Sequence, residues 1–271
     1  MENFLDLVKT RRSVRTFDGK AISDNIMEKL KKYAEADVNP FQIPVTYGFH
    51  SAAEQNLSSP VITDAPCFVT AKINAGKNAD VAYGYSFQNF LMYAHSLGLG
   101  TVLIGGTMPR DKFEQAAQLQ DGEIMPCMSP LGYCAEKMTL KETMMRKGTG
   151  ADKRMDFEKL FFKNDFSTPL TPLEAQAECI YDALEALRWA PSAVNKQPWR
   201  VVVCENTFHF YEKKNKGYDN GIYDVQKVDM GIAMYNFAHM LETQDKHPTL
   251  VLADPGIRIE NDMEYIASFQ L

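Results

Sequence analysis

The sequence predicts a mixed α+β fold, with a mixed sheet flanked by helices in each of two related halves, residues 1–165 and 166–271. The composition is that of a globular protein, with 45% hydrophobic and 24% charged residues in a chain of 271 residues that can bury a sizeable core. Helix-like and strand-like patterns alternate along the chain. A weak internal repeat indicates that the two halves are related.

The repeat consists of two pairs of similar segments. Gly84 is followed at five and six residues by Asn and Phe, and Gly231 is followed by the same two residues at the same distances. Upstream, "YAEADVNPFQIP" from Tyr33 resembles "WAPSAVNKQPW" from Trp189. This alignment sets Ala34 against Ala190 and Asn39 against Asn195. Because both matches occur in the same order, we interpret the halves as an internal duplication.

Helices in the first half are predicted from apolar residues at helical spacing. They involve Phe4, Leu7 and Val8, which run into "RRSVRTF"; Ile26, Leu30 and Tyr33, with Ser23 or Asp24 as the cap; and Phe87, Phe90, Leu91 and Ala94, ending at the "GLG" of 98–100. Strands are predicted at Asp64–Ala71 and at "TVLIGG", residues 101–106. The charged stretch 141–163 is interpreted as a surface connection.

The second half begins with the strongest helix signal of the sequence. Thr171 can cap this helix, Pro172 suits its first position and Glu174 can complete a capping box. Its apolar face comprises Ala177, Ile180, Leu184 and Leu187. Strands are predicted at 200–205 and 208–212, and another helix at 231–241.

Charge and residue counts argue against several classes of protein. The formal net charge of -6 disfavours a general nucleic-acid binder. No apolar run approaches the ~18 residues of a membrane span. The N-terminus, with Glu2 and Asp6, lacks the apolar region of a signal peptide, so we expect a cytoplasmic protein with no membrane partner. Five scattered cysteines and five scattered histidines predict reduced thiols and no metal site.

Four stretches resemble the FMN-dependent nitroreductase family. They are "RRSVRTF" from Arg11, "SFQNFLMYAHSLGLGTVLIGG" from Ser86, "PLGYCAEK" from Pro130 and "APSAVNKQPW" from Ala190. Within that family the chain is most similar to the single-chain, internally duplicated type. The resemblance implies an intramolecular pseudo-dimer, with a monomer favoured, in place of the usual homodimer with two FMN sites at its interface.

The chain departs from the family pattern in a way that predicts one FMN site. "APSAVNKQPW" follows the "SFQNF" segment, whereas the family has it before. In the first half Glu35, Ala36 and Asp37 replace the Pro, the Ser and a small residue. The second half has no counterpart of "RRSVR" or of "LIGG". Together the halves supply one complete set of motifs, as expected when one of two sites has decayed.

The resemblance assigns FMN-binding roles to two groups of residues. Arg11 is the expected phosphate partner, with Arg12 as the alternate, because guanidinium groups bind phosphate bidentately. Ser13 is expected at the phosphate or ribityl chain, and Arg15 beside the pyrimidine edge, where a cation stabilises the reduced ring. The remaining expected contacts are Lys153 and Arg154 at the phosphate, the backbone amides of Gly105 and Gly106 at the ring, and Pro191, Ser192 and Asn195 at the ring and ribityl chain.

The expected function is two-electron transfer from NADH or NADPH, through FMN, to an electron-poor acceptor such as a nitroaromatic compound or a quinone. No catalytic side chain or metal is then needed, because the cofactor carries the chemistry. Reductive dehalogenation, reduction of an activated double bond and a non-enzymatic flavin-binding role stay open as alternatives. Each motif alone also has a structural interpretation: "RRSVR" as a solvated helix end, the paired glycines as a turn and Trp199 as a core residue.

Overall fold

The computed structural model describes residues 3–271 and divides into two compact units. The first unit comprises residues 10–79 and 86–151, and the second comprises residues 3–9, 80–85 and 152–271. The units differ from the halves 1–165 and 166–271, because the second unit also includes the first helix, part of the long helix and the segment after residue 151.

The described residues form α-helices and β-strands in an α+β arrangement, as predicted. The helices are α1 (Phe4–Thr10), α2 (Asp24–Glu35), α3 (Ala79–Ser96), α4 (Arg110–Ala116), α5 (Leu140–Thr149), α6 (Pro172–Ala177), α7 (Tyr181–Arg188) and α8 (Val225–Glu242). The strands are β1 (Thr46–Ser51), β2 (Cys67–Asn74), β3 (Gly100–Thr101), β4 (Glu123–Ile124), β5 (Met128–Gly132), β6 (Phe161–Lys163), β7 (Trp199–Cys204), β8 (Thr207–Lys213), β9 (Thr249–Val251) and β10 (Met263–Gln270). Short 3-10 turns lie at Phe157–Lys159 and Ala193–Asn195.

The sheets of the two units share one strand topology. In the first unit the order is β1-β2-β5-β3 with every pair antiparallel, and β4 pairs with the end of β2. In the second unit β7-β8-β10-β9 is likewise antiparallel, and β6 adds to β7 in parallel at the edge. Each set follows the same chain order, in which a hairpin is followed by a long helix and two returning strands. This correspondence confirms the two related halves.

The glycines of the repeat mark the point where α3 and α8 meet inside the second unit. A Cβ atom added at Gly84 would overlap the carbonyl oxygen of Val228, and one added at Gly231 would overlap the carbonyl oxygen of Val81. The two backbones therefore approach more closely than any side chain at these positions would allow. The reciprocal contact explains why the repeat retains glycine in both helices.

Aromatic and aliphatic side chains fill the core of each unit. In the first unit Val14, Phe17, Phe68, Phe113 and Met128 belong to one buried cluster. In the second unit Phe237 of α8 packs against Phe208 and Phe210 of β8, with ring centroids 4.8 and 5.4 Å apart. Both cores thus bury the apolar residues that the strand and helix patterns bring together.

The helix expected after Thr171 is interrupted. The capping box is confirmed, because the Thr171 hydroxyl accepts the Glu174 amide at 3.3 Å and the Glu174 carboxylate accepts the Thr171 amide at 2.9 Å. The helix ends at Ala177, however, and Cys179 has a φ of 55° before α7 begins. A left-handed residue at this position breaks the helical hydrogen-bond pattern.

Other predictions about the elements need correction. The stretch 141–163 is not a surface connection, since it contains most of α5 and all of β6. The strand expected over 101–106 is reduced to β3, because Val102 donates its amide to the Ser129 hydroxyl at 3.2 Å instead of to a neighbouring backbone. Ile104 then rejoins β5 only through an isolated bridge to Met128. The first strand of the sheet, β1, was missed altogether.

Candidate functional site

The "RRSVR" segment forms an extended edge in the first unit. Ser13 forms a parallel bridge with Thr101, and Val14 donates its amide to the Thr101 carbonyl at 3.0 Å. Val14 and Phe17 are buried in the core. Buried residues therefore fix the backbone of this segment, while the side chains of Arg11, Arg12 and Arg15 are partly exposed.

A buried carboxylate that the sequence analysis missed supports this segment. Glu142, only 1% exposed, accepts hydrogen bonds from Arg12 Nη1 at 3.0 Å, the Arg15 amide at 3.2 Å and the Thr16 hydroxyl at 2.7 Å. It lies in the first turn of α5, where its own amide donates to the Thr139 hydroxyl at 3.2 Å. The Thr-x-x-Glu pattern of a capping box was the signal that could have located it.

The guanidinium of Arg15 retains an unused donor. Its Nε is buried and has no hydrogen-bond partner among residues 3–271. Burial lowers the pKa of Arg15, the charge of Glu142 opposes this change and the nearby Arg146 adds to it. An arginine stays protonated in proteins at neutral pH, so a buried N–H of a cation is left without an acceptor. Such a donor is costly unless a ligand satisfies it.

Gly105 and Gly106 lie in a turn after Ile104, which exchanges backbone hydrogen bonds of 2.8 and 3.0 Å with Met128. A Cβ added at Gly105 would lie 3.0 Å from the Pro126 carbonyl oxygen, which is a tight contact. A Cβ added at Gly106 would have nothing within 4 Å. The fold itself therefore does not require glycine at residue 106, and the space beside this backbone is open to a ligand.

The predicted site residues of the second unit are joined by hydrogen bonds. Asn195 Nδ2 donates to the Lys153 carbonyl at 3.0 Å. The Arg154 guanidinium lies 4.8 Å from the centre of the Trp189 ring, and its Nη2 donates to the Trp189 carbonyl at 3.1 Å. The Lys153 side chain is exposed. The structure thus brings Lys153, Arg154 and Asn195 together, with Arg154 partly committed to a cation–π contact.

The loop of residues 191–197 has an unusual backbone. Val194, Asn195 and Gln197 have φ values of 50°, 56° and 51°. A β-branched residue at positive φ is an outlier, and strain of this kind costs about 1–3 kcal/mol per residue. Hydrogen bonds oppose this strain: the Ser192 hydroxyl accepts the Gln197 amide at 2.9 Å, and Gln197 Oε1 accepts the Met155 amide at 2.9 Å.

Asp229 is a second residue that the sequence analysis missed. It lies in α8, is 3% exposed, and places both carboxylate oxygens 3.0 Å from the Ala193 amide nitrogen. Burial raises the pKa of Asp229 well above its ordinary value; the Ala193 N–H opposes this change, and the charges of Asp224 and Glu212 add to it. No local pattern marks Asp229, because its partner lies 36 residues earlier in the chain.

The predicted site residues divide between the units. The first unit contains Arg11, Arg12, Ser13, Arg15, Gly105 and Gly106, and the second contains Lys153, Arg154, Pro191, Ser192 and Asn195. Among residues 3–271, no group of three or more His, Cys, Asp or Glu side chains is arranged to hold a metal ion. None of the described helices has the length and apolarity to span a membrane.

Comparison with known proteins identifies the family. Residues 3–241 match the family model described as "Putative TM nitroreductase". A solved structure of a "putative nitroreductase" from Thermotoga maritima has a TM-score of 0.64 and 18% identity, over 99% of this chain and 94% of that one. A nitroreductase family protein from Clostridium difficile has a TM-score of 0.44 and 18% identity, over 54% of this chain and 92% of that one. No curated protein sequence matches the chain. Because the family match spans most of the sequence, the chain belongs to this nitroreductase family.

Proposed function

We propose that the protein is an FMN-dependent oxidoreductase that moves a hydride from NADH or NADPH, by way of bound FMN, to an electron-poor acceptor such as a nitroaromatic compound or a quinone. The observation that carries this proposal is the cationic "RRSVR" segment, in which the buried Nε of Arg15 has no acceptor among the described residues. Family membership and the open backbone at Gly106 support it.

In this proposal the arginines have separate roles. Arg11 is the phosphate ligand with Ser13 beside it, as the resemblance implies, and Arg12 is held by Glu142. Arg15 contacts the pyrimidine edge of the flavin. When bound, FMN supplies the hydride-accepting and hydride-donating chemistry. A fixed cation at that edge favours the reduced ring, because negative charge develops there on reduction.

The resemblance assigns the other ligands. Pro191, Ser192 and Asn195 contact the ring and the ribityl chain, and Lys153 and Arg154 add positive charge for the phosphate. The strained backbone of this loop supports the proposal, because burial of the exposed Val194 side chain does not offset the strain and such strain is concentrated at ligand sites.

The counterpart loop of the first unit uses its polar groups internally. Asn39 Nδ2 donates to the Ile43 carbonyl at 2.7 Å and to the Ser86 hydroxyl at 3.1 Å. The Asp37 carboxylate accepts Asn89 Nδ2 at 2.9 Å and the Tyr47 hydroxyl at 3.2 Å. These contacts support the proposal that one FMN site has decayed, since the groups that would face a cofactor are already satisfied within the unit.

Matched variants test the binding site. Arg11→Ala removes a charged ligand, and the loss of a hydrogen bond to a charged group, ~1.5 to 3 kcal/mol, weakens FMN binding roughly tenfold or more. Asn195→Ala, with neutral partners, weakens it less. Asn39→Ala is the control, because it removes the same side chain from the counterpart loop and leaves FMN affinity unchanged. Flavin affinity is measured by fluorescence titration, with melting temperature measured in parallel. The assignment is wrong if Arg11→Ala and Asn195→Ala lower the melting temperature without changing the affinity of the folded protein.

A second experiment tests the electron transfer. The FMN-loaded protein is mixed anaerobically with NADH and, separately, with NADPH, and the flavin absorbance is followed. Bleaching by either nucleotide, followed by reoxidation with a nitroaromatic compound or a quinone, is the expected result. A flavin that neither nucleotide bleaches would identify a flavin-binding protein without this activity. Rapid bleaching without reoxidation would point to another acceptor chemistry.

A further inference from the structure

The same Val-Asn dipeptide adopts different backbones in the two halves. Val194 and Asn195 have positive φ values, whereas Val38 and Asn39 do not. Each dipeptide follows a helix, α7 or α2, and precedes a strand, β7 or β1. Because the two residues are identical, their own preferences do not decide the conformation. The cause lies outside the dipeptide: Asn39 precedes Pro40, which restricts its backbone toward extended conformations, whereas Asn195 precedes Lys196, and the tertiary contacts also differ between the halves.

Burial of the Val194 side chain does not stabilise the left-handed conformation. Val194 is 60% exposed, so the strain at this residue is not offset by apolar contacts. Hydrogen bonds to the loop must therefore offset it. In one of these hydrogen bonds the amide of Ala193, directly before Val194, donates to the carboxylate of Asp229 at 3.0 Å.

The first half lacks this contact at the equivalent positions. The alignment that pairs Gly84 with Gly231 sets Ala82 against Asp229. The alignment that pairs Asn39 with Asn195 sets Asp37 against Ala193. An alanine side chain cannot accept the amide hydrogen of the loop. The half with the carboxylate has the left-handed Val-Asn dipeptide, and the half without it does not.

We propose that Asp229 is a positioning residue for the cofactor: by accepting the Ala193 N–H, it holds residues 191–197 in the conformation that presents Ser192 and Asn195 to FMN. This inference rests on the proposed function. It also accounts for a carboxylate buried beside Asp224 and Glu212, an arrangement that is unfavourable for stability alone.

Three variants separate the hydrogen bond from other roles of Asp229. Asp229→Ala removes the acceptor. Asp229→Asn keeps an acceptor oxygen of the same shape. Ala193→Pro removes only the donor, and it is compatible with the backbone because Ser192 is extended and Ala193 is the first residue of its 3-10 turn. Asp37→Ala serves as the control for the loss of a partly buried carboxylate in the other loop.

The readouts are the FMN dissociation constant and the hydrogen-exchange rate of the Ala193 amide in the apoprotein. For Asp229→Ala we expect exchange at least about tenfold faster and FMN binding weaker by roughly tenfold, the effect of leaving the loop amide without its acceptor. Asp229→Asn should stay within about threefold of the wild type in both measurements. Ala193→Pro should weaken FMN binding as Asp229→Ala does. Asp37→Ala should change neither readout, although its melting temperature falls.

Several results would overturn the inference. Faster exchange with unchanged FMN affinity would show that the anchored conformation does not serve the cofactor. Unchanged exchange in Asp229→Ala would show that the hydrogen bond does not hold the loop. An Asp229→Asn variant as weak as Asp229→Ala would assign the effect to charge. If Asp229→Ala does not fold, Ala193→Pro with normal affinity overturns the inference by itself. A wild-type protein that binds no FMN contradicts the proposed function. The exchange rate of the Ala193 amide in the apoprotein still tests, independently of FMN, whether Asp229 holds the loop.

Discussion

Glu212 is a buried carboxyl group whose ionisation opposes folding. It is 1% exposed, and its Oε2 has no hydrogen-bond partner among the described residues. Burial and the charge of Asp224 raise the pKa of Glu212 from an ordinary value of 4.5 to about 7, with Lys227 opposing the change. The folded protein therefore binds this proton more tightly than the unfolded chain does. The free energy of unfolding should decrease as pH rises from about 4.5 to about 7.

The Glu212→Gln variant should lose this pH dependence. A neutral amide does not ionise. The free energy of unfolding of the variant, minus that of the wild type, should therefore be larger at pH 8 than at pH 5, by no more than about 3 kcal/mol. Urea denaturation of both proteins at the two pH values measures the difference. Glu264→Gln is a control without this dependence, because hydrogen bonds and charge from Lys214 and Lys227 outweigh burial and lower the pKa of Glu264, so this group titrates below the pH range of the comparison. An equal stability change at both pH values would contradict the role of Glu212.

Arg15 should affect the reduced cofactor more than the oxidised one. The Arg15→Ala variant should retain oxidised FMN better than Arg11→Ala does, because its cation acts mainly on the charge that appears upon reduction. Its midpoint potential should be lower than that of the wild type, and its reduction by NADH or NADPH slower. Spectroelectrochemical titration of both variants makes the comparison. A midpoint potential equal to the wild-type value would show that Arg15 does not lie at the pyrimidine edge of the flavin.

At the scale of elements, the crossing of α3 and α8 depends on two glycines. In an exposed helix, replacing glycine by alanine stabilises the helix by about 1 kcal/mol. Here Gly84→Ala and Gly231→Ala should each destabilise the protein instead, by about 2 kcal/mol or more, because the new methyl group overlaps a carbonyl oxygen of the facing helix. Chemical denaturation of each variant measures the change.

Gly148 offers the matched control for this prediction. It lies within α5 with an exposed surface, and a Cβ added there would have nothing within 4 Å. Gly148→Ala should therefore be neutral or stabilising by up to about 1 kcal/mol. If all the variants shifted stability in the same direction, the close approach of the two helices would not be the cause.

At the scale of the whole molecule, one complete set of motifs should bind one cofactor. We expect about one FMN per chain in a cofactor-loaded monomer, because the resemblance assigns one complete set of FMN motifs to the chain. Flavin released by denaturation is quantified against protein, and light scattering gives the mass. Two FMN per chain would contradict the decayed site. A strict dimer that loses its flavin on dilution would contradict the monomer.

Residues with short-range partners were predictable from the sequence, and residues with distant partners were not. Thr171 and Glu174 lie three residues apart and follow a known pattern, and Gly84 and Gly231 were visible because they recur in the repeat. The Thr-x-x-Glu pattern could have located Glu142 at a helix start, but its burial was not predictable, because its partner Arg12 lies 130 residues away. Strand β1 was missed because its burial depends on pairing with β2. The FMN-binding roles of the individual site residues remain predictions, since they rest on the resemblance.

The placement of α1 has a consequence for biosynthesis. Phe4 packs edge-on against Tyr235 and His239 of α8, with ring centroids 6.2 and 4.5 Å apart. A ribosome releases α1 before it releases α8. Phe4 is therefore synthesised more than two hundred residues before these two partners. Folding of the second unit is consequently a late event, and a nascent chain stalled before α8 should expose α1 to chaperones or proteases.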